Sequence, residues 1–350
     1  MKKIAIACQG GGSQTAFTAG VLAALFDEGV HHKRRVVGLS GTSGGAICAT
    51  LSWYGILRET HGDASSIGQR IEDFWADIVA QTPAEIQLDT YLAEMLRLID
   101  KGLLPHVEVS PVSTISQMFF SMISAYAPRP FFTDLRASLE KHIHFHELAT
   151  LAKEDSPALL LGAADVLTGE LKKFNSLKGE ICVEAVLASA AIPTLFPAVQ
   201  VGASYYWDGL FSDNPPIKEL VRLITVGAER IPDEVWVIQI NPTNISKVPT
   251  TTSEIIDRRN QMTGNVSLFQ SLEWVEFYNM LLREKLVSFE SLERSGFPRR
   301  EPIEIRFIQM DPEVQANLDY VSKLSREPGH VRRLIDHGRE QARKFLKALE

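Results

Sequence analysis

Ser43 lies in the run Gly41-Thr42-Ser43-Gly44-Gly45, a Gly-x-Ser-x-Gly pattern between an apolar stretch, Val36 to Leu39, and a helical one, Ala46 to Leu57. A tight bend between a strand and a helix leaves the serine hydroxyl exposed. Glycines on both sides relieve the crowding and tolerate the unusual backbone angles. The helix that follows directs its free N–H groups and the positive end of its dipole at the serine oxygen. These are the requirements of a nucleophile in acyl transfer; a glycine-rich structural turn is the plainer alternative.

Acyl transfer passes through a tetrahedral oxyanion, which preorganised backbone N–H donors stabilise by a few kcal/mol. Gly10-Gly11-Gly12, at the end of the first apolar run, can turn such donors toward one point without side-chain obstruction. A dinucleotide fingerprint would need glycine at Thr15, and a P-loop would need a Gly-Lys-Ser/Thr ending; both fail here. Beside Ser43, the triple glycine reads as an oxyanion hole.

A serine hydroxyl needs a base, which in the usual triad is a histidine oriented by a carboxylate. His31 and His32 occupy a polar turn. His142, His144 and His146 alternate as metal ligands do, but read better as solvated surface histidines. His330 and His337, in the last helical segment, have charged neighbours and stand second as candidate bases. Asp208 stands first. It follows Tyr205-Tyr206-Trp207 and precedes Gly209 on a loop at a strand end, where partial burial raises a carboxyl pKa and makes it a better base. Asp213 is close by and is not excluded by chemistry alone, and an ordinary Asp-Gly turn is the plain alternative.

The elements that must carry these residues follow from hydrophobic periodicity. Residues 3–8 predict a buried strand, Ser13 to Glu28 a helix, Val36 to Leu39 a second strand and Ala46 to Leu57 a second helix. Strand, glycine loop, helix, strand, turn, helix opens an α/β fold with parallel strands. Residues 66–148 read as helical, 158–174 as strands, and 183–192 as a small-residue helix stopped by Pro193. A brief strand spans 205–207, a short helix follows Pro216, and a buried strand spans 235–240. Long helices cover 253–294, a late strand 303–310, and a basic terminal helix 329–349. The Met/Phe-rich stretch 115–126 is read as packing inside the helical insertion, with a lid or membrane-touching face as the second reading. The terminal helix is read as docked, its charged face solvated.

The 350 residues carry a formal net charge of −7, with 45% hydrophobic and 23% charged side chains. That is an ordinary globular composition. It argues against a global nucleic-acid binder, although Arg332-Arg333 and Lys344 to Lys347 are local basic patches. Cys8, Cys48 and Cys182 are widely separated and read as reduced thiols. The first residues read as a strand rather than a signal peptide, and no apolar run reaches membrane-spanning length. The expectation is one catalytic domain over residues 1–350, with a motif-bearing core at about 4–241, a helical insertion at about 60–150 and an extension at about 250–350. A cytoplasmic location, with possible peripheral membrane contact, goes with it.

Taken in order, GGGSQTAFTAGVL (10–22), GTSGGA (41–46), AADVLTGELKKF (163–174), ASAAIPTLFPAV (188–199) and DGLFSDNPPI (208–217) resemble the patatin-like phospholipase family. The resemblance covers residues 4–241. It implies a three-layer α/β/α fold with a mostly parallel central sheet, a helical insertion and a helical C-terminal region. It further implies a dyad of Ser43 and Asp208 without a catalytic histidine, and an oxyanion hole drawn from Gly10, Gly11, Gly12 and Gly44. The activity implied is hydrolysis of fatty-acyl esters in lipids, with no cofactor or metal. Two departures stand out: Gln14 and Thr15 replace the cation and glycine frequent after the triple glycine, and Leu210 follows Asp208-Gly209 where a small residue is frequent. An acyltransferase using the same serine is one alternative. A catalytically silent lipid- or partner-binding member of the fold is another, supported by Gln14 and Thr15.

Overall fold

Residues Ile4 to Cys8 are all buried, the pattern of a central strand covered on both faces. In the computed structural model, which describes residues 1–104, 110–126, 129, 134–193, 195–294 and 301–350, they form β1 (Lys3–Cys8). A short 3-10 turn, Gly12–Thr15, leads into α1 (Ala16–Asp27), then β2 (Arg35–Gly41) and α2 (Gly44–Thr60). The insertion supplies α3 (Ile67–Ile78), α4 (Pro83–Asp100), α5 (Thr114–Tyr126) and α6 (Leu135–His142). There follow β3 (Ala158–Asp165), β4 (Leu171–Asn175), α7 (Val183–Ser189), β5 (Val199–Val201) and β6 (Ser204–Asp208). The chain continues through β7 (Glu234–Gln239), α8 (Thr252–Arg283), β8 (Glu304–Gln309) and α9 (Pro328–Lys347).

The strands form one sheet in the order β5-β6-β3-β2-β1-β7-β8, with β4 also on β3. Strands β3, β2, β1, β7 and β8 run parallel, while β4 and β6 pair with β3 antiparallel. One core, built on Ile4, Ile6, Leu39, Leu159 and Leu161, packs the sheet against α1, α2, α3 and α9. A second, on Ala5, Ala7, Leu160, Val235 and Val237, packs the opposite face against Leu268 and Val275 of α8. Helices on both faces of a mostly parallel sheet make the three layers.

Helix α1 is buried all round except at Asp27, because the sheet lies on one side and α9 on the other. The terminal helix docks there through Val331, Leu334, Ile335 and Ala342, with Arg339 paired to Asp27 and Glu72 and Arg332, Arg333, Arg343, Lys344 and Lys347 left outside. A capping box of Thr82 and Glu85 starts α4, and Arg129 reaches the same Glu85 carboxylate at 2.8 Å, clamping the insertion. Helix α5 departs from expectation. Ile115, Met118 and Met122 fall at helical spacing but face outward, with Ile115 72% exposed. A stripe of Ile and Met marks a face without saying what covers it. Among the described residues, no helix is long and apolar enough to cross a membrane.

Candidate active site

Ser43 occupies the turn between β2 and α2 with φ 57° and ψ −131°, a left-handed backbone rare for any residue with a side chain. The turn persists because both neighbouring loops hold it. Thr42 donates its hydroxyl to the Asp213 carbonyl at 2.6 Å. The Ser43 N–H donates to Ser189 O at 3.0 Å and approaches Ser189 Oγ at 3.2 Å. Ser189 Oγ in turn donates to Gly162 O at 2.7 Å, tying the turn to β3.

Pairing in the sheet brings Asp208 to the same place. Leu160 and Leu161 pair with β2 on one side and β4 on the other, and Ala163 and Ala164 pair with β4 and β6. Each edge of a strand holds one partner, so β2 and β6 share an edge of β3 and point at one another. Gly41, at the end of β2, pairs with Leu161, and Asp208, at the end of β6, pairs with Ala163. The Asp208 N–H donates to Ala191 O at 2.9 Å. Helix α7 ends at Ser189 rather than continuing to Ile192 as the sequence predicts; the Ser189 and Ala191 carbonyls accept from Ser43 and Asp208.

The two side chains meet in a closed site: Ser43 is 7% exposed and Asp208 is 1% exposed. Burial pushes the Asp208 carboxyl up to about 7, against the opposing pull of the Ser43 hydroxyl and the Leu210 N–H. Oδ1 accepts that N–H at 2.7 Å. The Ser43 hydroxyl is close enough to act on the carboxylate, yet no aligned hydrogen bond joins them, and Oδ2 is buried without a partner. Aligned bonds of this kind commonly form only when substrate is present.

The glycine loop at the end of β1 closes against Ser43 so tightly that a Cβ on Gly10 would lie 2.8 Å from Ser43 Cβ. Gly12 takes φ +58°, which turns the chain into the 3-10 segment. The Gly10 N–H is occupied, donating to Asn214 Oδ1 at 2.7 Å. Among the described residues, no acceptor takes the N–H groups of Gly11, Gly12 or Gly44. The last of these opens α2, whose positive dipole end adds to the same field.

A buried polar network that the sequence does not announce supports this loop. Gln9 Nε2 donates to Asn265 Oδ1 at 3.0 Å, while Gln9 Oε1 accepts from the N–H groups of Ile240 and Asn241. Asn265 Nδ2 donates to Pro242 O, and the Asn214 N–H donates to Ser267 Oγ. Helix α8 therefore braces the glycine loop from a region more than 200 residues away in sequence. Gln14 has a comparable role: its amide donates to Asp319 O and to Ser322 Oγ at 2.9 Å. The residue standing where a cation is frequent is committed to binding the 319–322 loop.

The remaining candidates lie in other settings. Asp213 is ion-paired with Lys173 at 2.7 Å. His337 Nε2 accepts the Asp311 N–H at 3.1 Å, and His330 is half-buried at the start of α9. His142 is not a solvated histidine, since its Nε2 lies 2.6 Å from Asp77 Oδ2; His144 and His146 sit beside Glu147. His31 and His32 both reach Glu59, and their ligand atoms lie within 4.8 Å of one another. Cys8 and Cys48 are buried free thiols and Cys182 is half-buried and free; burial pushes Cys48 up to about 12. A groove of about 850 Å³ adjoins the far side of the glycine loop, lined by Gln14, Ile240, Asp257 and Tyr320. Neither Ser43 nor Asp208 lines it.

A family model described as patatin-like phospholipase matches residues 6–221. Among solved structures, the chain is similar to VipD from Legionella pneumophila, with a TM-score of 0.44 and 14% identity over 99% of this chain and 67% of that one. It is also similar to the heterodimeric ExoU–SpcU complex of the Pseudomonas aeruginosa type III secretion system, with a TM-score of 0.29 and 13% identity over 98% of this chain. There it spans about half of the matched chain, 52%. No curated protein matches the sequence.

Proposed function

The chain belongs to the patatin-like phospholipase family of lipid hydrolases, and from that premise we propose that it cleaves fatty-acyl esters through a Ser43–Asp208 dyad. The observation that carries the reading is the buried Asp208 carboxylate, its Oδ2 unpartnered, beside a serine held at a helix N-terminus in a strained turn.

In the first half-reaction Ser43 Oγ attacks the ester carbonyl as its proton passes to Asp208. A carboxyl pushed to about 7 by burial holds that proton far better than an ordinary aspartate does. The tetrahedral oxyanion is met by the N–H groups of Gly11, Gly12 and Gly44; Gly10, engaged by Asn214, positions the loop instead of donating. Collapse of the intermediate expels the alcohol, which takes the proton from Asp208 and leaves Ser43 acylated. Water, losing a proton to Asp208, then attacks the acyl-enzyme. Breakdown of that second intermediate releases the fatty acid, and the proton returns to Ser43 Oγ.

Without a histidine, this dyad leans on its oxyanion hole, which explains why the glycine loop is braced from β7, α8 and the 319–322 loop together. The test is hydrolysis of fatty-acyl esters of graded chain length by the wild type and by Ser43→Ala. Turnover that survives the substitution would refute the assignment.

A further inference from the structure

The hairpin of β5 and β6 is the edge of the sheet on the side of Asp208, and its outer surface is unusually apolar. Phe196 is 44% exposed, Tyr205 41%, Trp207 37% and Phe211 49%. From Ala185 to Trp207 no side chain is charged, in a protein where 23% of residues are. Part of that run is the buried helix α7, but the portion from Phe196 onward includes exposed positions that a solvated sheet edge usually fills with charge. Across β3 from the hairpin, Lys172 and Lys173 of β4 are each paired, with Glu180 and Asp213.

This hairpin is joined to the candidate site along the chain: Tyr205 and Trp207 alternate on β6 with the buried Tyr206 and Asp208, so they stand on the strand's other face. Phe196 lies five residues after Ala191, whose carbonyl anchors Asp208, and Phe211 ends the short turn that the Asp208 carboxylate caps. Ser43 and Asp208 are both buried, so a lipid must leave its bilayer or micelle to reach them. A site of that kind works best when the surrounding lip sits at the lipid surface. Trp and Tyr suit that position because one end of each is apolar and the other hydrogen-bonds water.

We propose that the β5–β6 hairpin, with Phe196 before it and Phe211 after it, is the face this protein lays on an uncharged lipid surface. The proposal rests on the reading of Ser43 as the nucleophile of a lipid esterase. A second protein strand is a poorer occupant, because β5 offers only Val199–Val201 for ladder pairing. A lipid surface needs no ladder. It needs exposed aromatic area and few charges to desolvate, and the hairpin supplies both.

The experiment is co-sedimentation of the full chain carrying Ser43→Ala, which prevents turnover, with phosphatidylcholine vesicles at low and high salt. The expected result is binding that changes little with salt and falls about tenfold or more when Phe196→Ser and Tyr205→Ser are combined. Ile224→Ser, at an exposed position elsewhere, leaves binding unchanged. Trp207 fluorescence is quenched by brominated lipid, and the quenching is lost in Trp207→Phe, a readout that does not depend on the double variant folding. Unaltered vesicle binding in the double variant, together with absent Trp207 quenching, overturns the proposal. So does a dimer that the double variant dissociates, which would make the hairpin a contact between copies. Hydrolysis of a short, fully water-soluble ester by the wild type and by Ser43→Ala reports separately on the Ser43 reading. If that reading fails, vesicle binding by the Ser43→Ala protein still decides the fate of this surface.

Discussion

Ser43 and Asp208 hang by their backbone N–H groups from carbonyls two residues apart, Ser189 O at 3.0 Å and Ala191 O at 2.9 Å. The relative position of the two side chains is therefore set by the C-terminal end of α7, and Ser189 fixes that end to β3 through Gly162 O. Ser189→Ala removes the hydroxyl anchor and leaves a buried carbonyl without this donor. We expect a loss of about 1–3 kcal/mol in stability and a fall of about tenfold in kcat, with KM little changed. Thermal unfolding and steady-state kinetics on a soluble ester check both. An unchanged kcat would show that the anchor does not position Ser43.

The acidity of Asp208 sets a pH dependence with a defined sign. As the base it must be ionised, so activity rises with pH and reaches half its plateau near 7. Stability moves the other way. The folded protein keeps the Asp208 proton up to about 7, whereas the unfolded chain releases it near 3.8, so between these values folding takes up a proton. Stability from this group is complete at low pH and is lost as pH rises through that window. Asp208→Asn should therefore be inactive yet more stable than the wild type above pH 7, by up to about 4 kcal/mol, with little difference near pH 4. Denaturant titrations at pH 5 and pH 8 measure this, and a variant less stable than the wild type at pH 8 contradicts it.

The glycine loop is held in a comparable way. Asn214→Leu deprives the Gly10 N–H of its acceptor and leaves it buried, at a cost of about 1–3 kcal/mol. Because Gly11 and Gly12 ride on that loop, kcat on a soluble ester should fall about tenfold to a hundredfold. Gln14→Ala is expected to lower stability through its lost bonds to Asp319 and Ser322 while moving kcat less. Equal effects of the two variants on kcat would contradict a role for Gln14 confined to holding the 319–322 loop.

Much of this was legible in the sequence. The Gly-Thr-Ser-Gly-Gly turn, the triple glycine and Asp208-Gly209 each express a local backbone demand, and such demands select residue types that can be read without the fold. β1 and β7 were legible too, because strands buried on both faces are continuous apolar runs. The bracing was not. Gln9, Asn214, Asn265 and Ser189 are ordinary polar residues until chain segments far apart in sequence are brought together, and no local pattern marks them. The outward face of α5 is not legible for a related reason: Ile115, Met118 and Met122 satisfy the same periodicity whether a core or another surface covers them.

That exposure gives a prediction of its own. Met118→Lys on α5 should change stability by less than about 0.5 kcal/mol, as surface substitutions do. If Met118 were instead packed within the insertion, the same charge would cost several kcal/mol. Chemical denaturation separates these outcomes.

The most direct measurement of the dyad is labelling by a fluorophosphonate, which reacts with activated serines. A single adduct per chain is expected on the peptide containing Ser43, absent in Ser43→Ala, strongly slowed in Asp208→Asn, and unaffected by His330→Ala or His337→Ala. Labelling that persists in Ser43→Ala, or that depends on a histidine and not on Asp208, would contradict it.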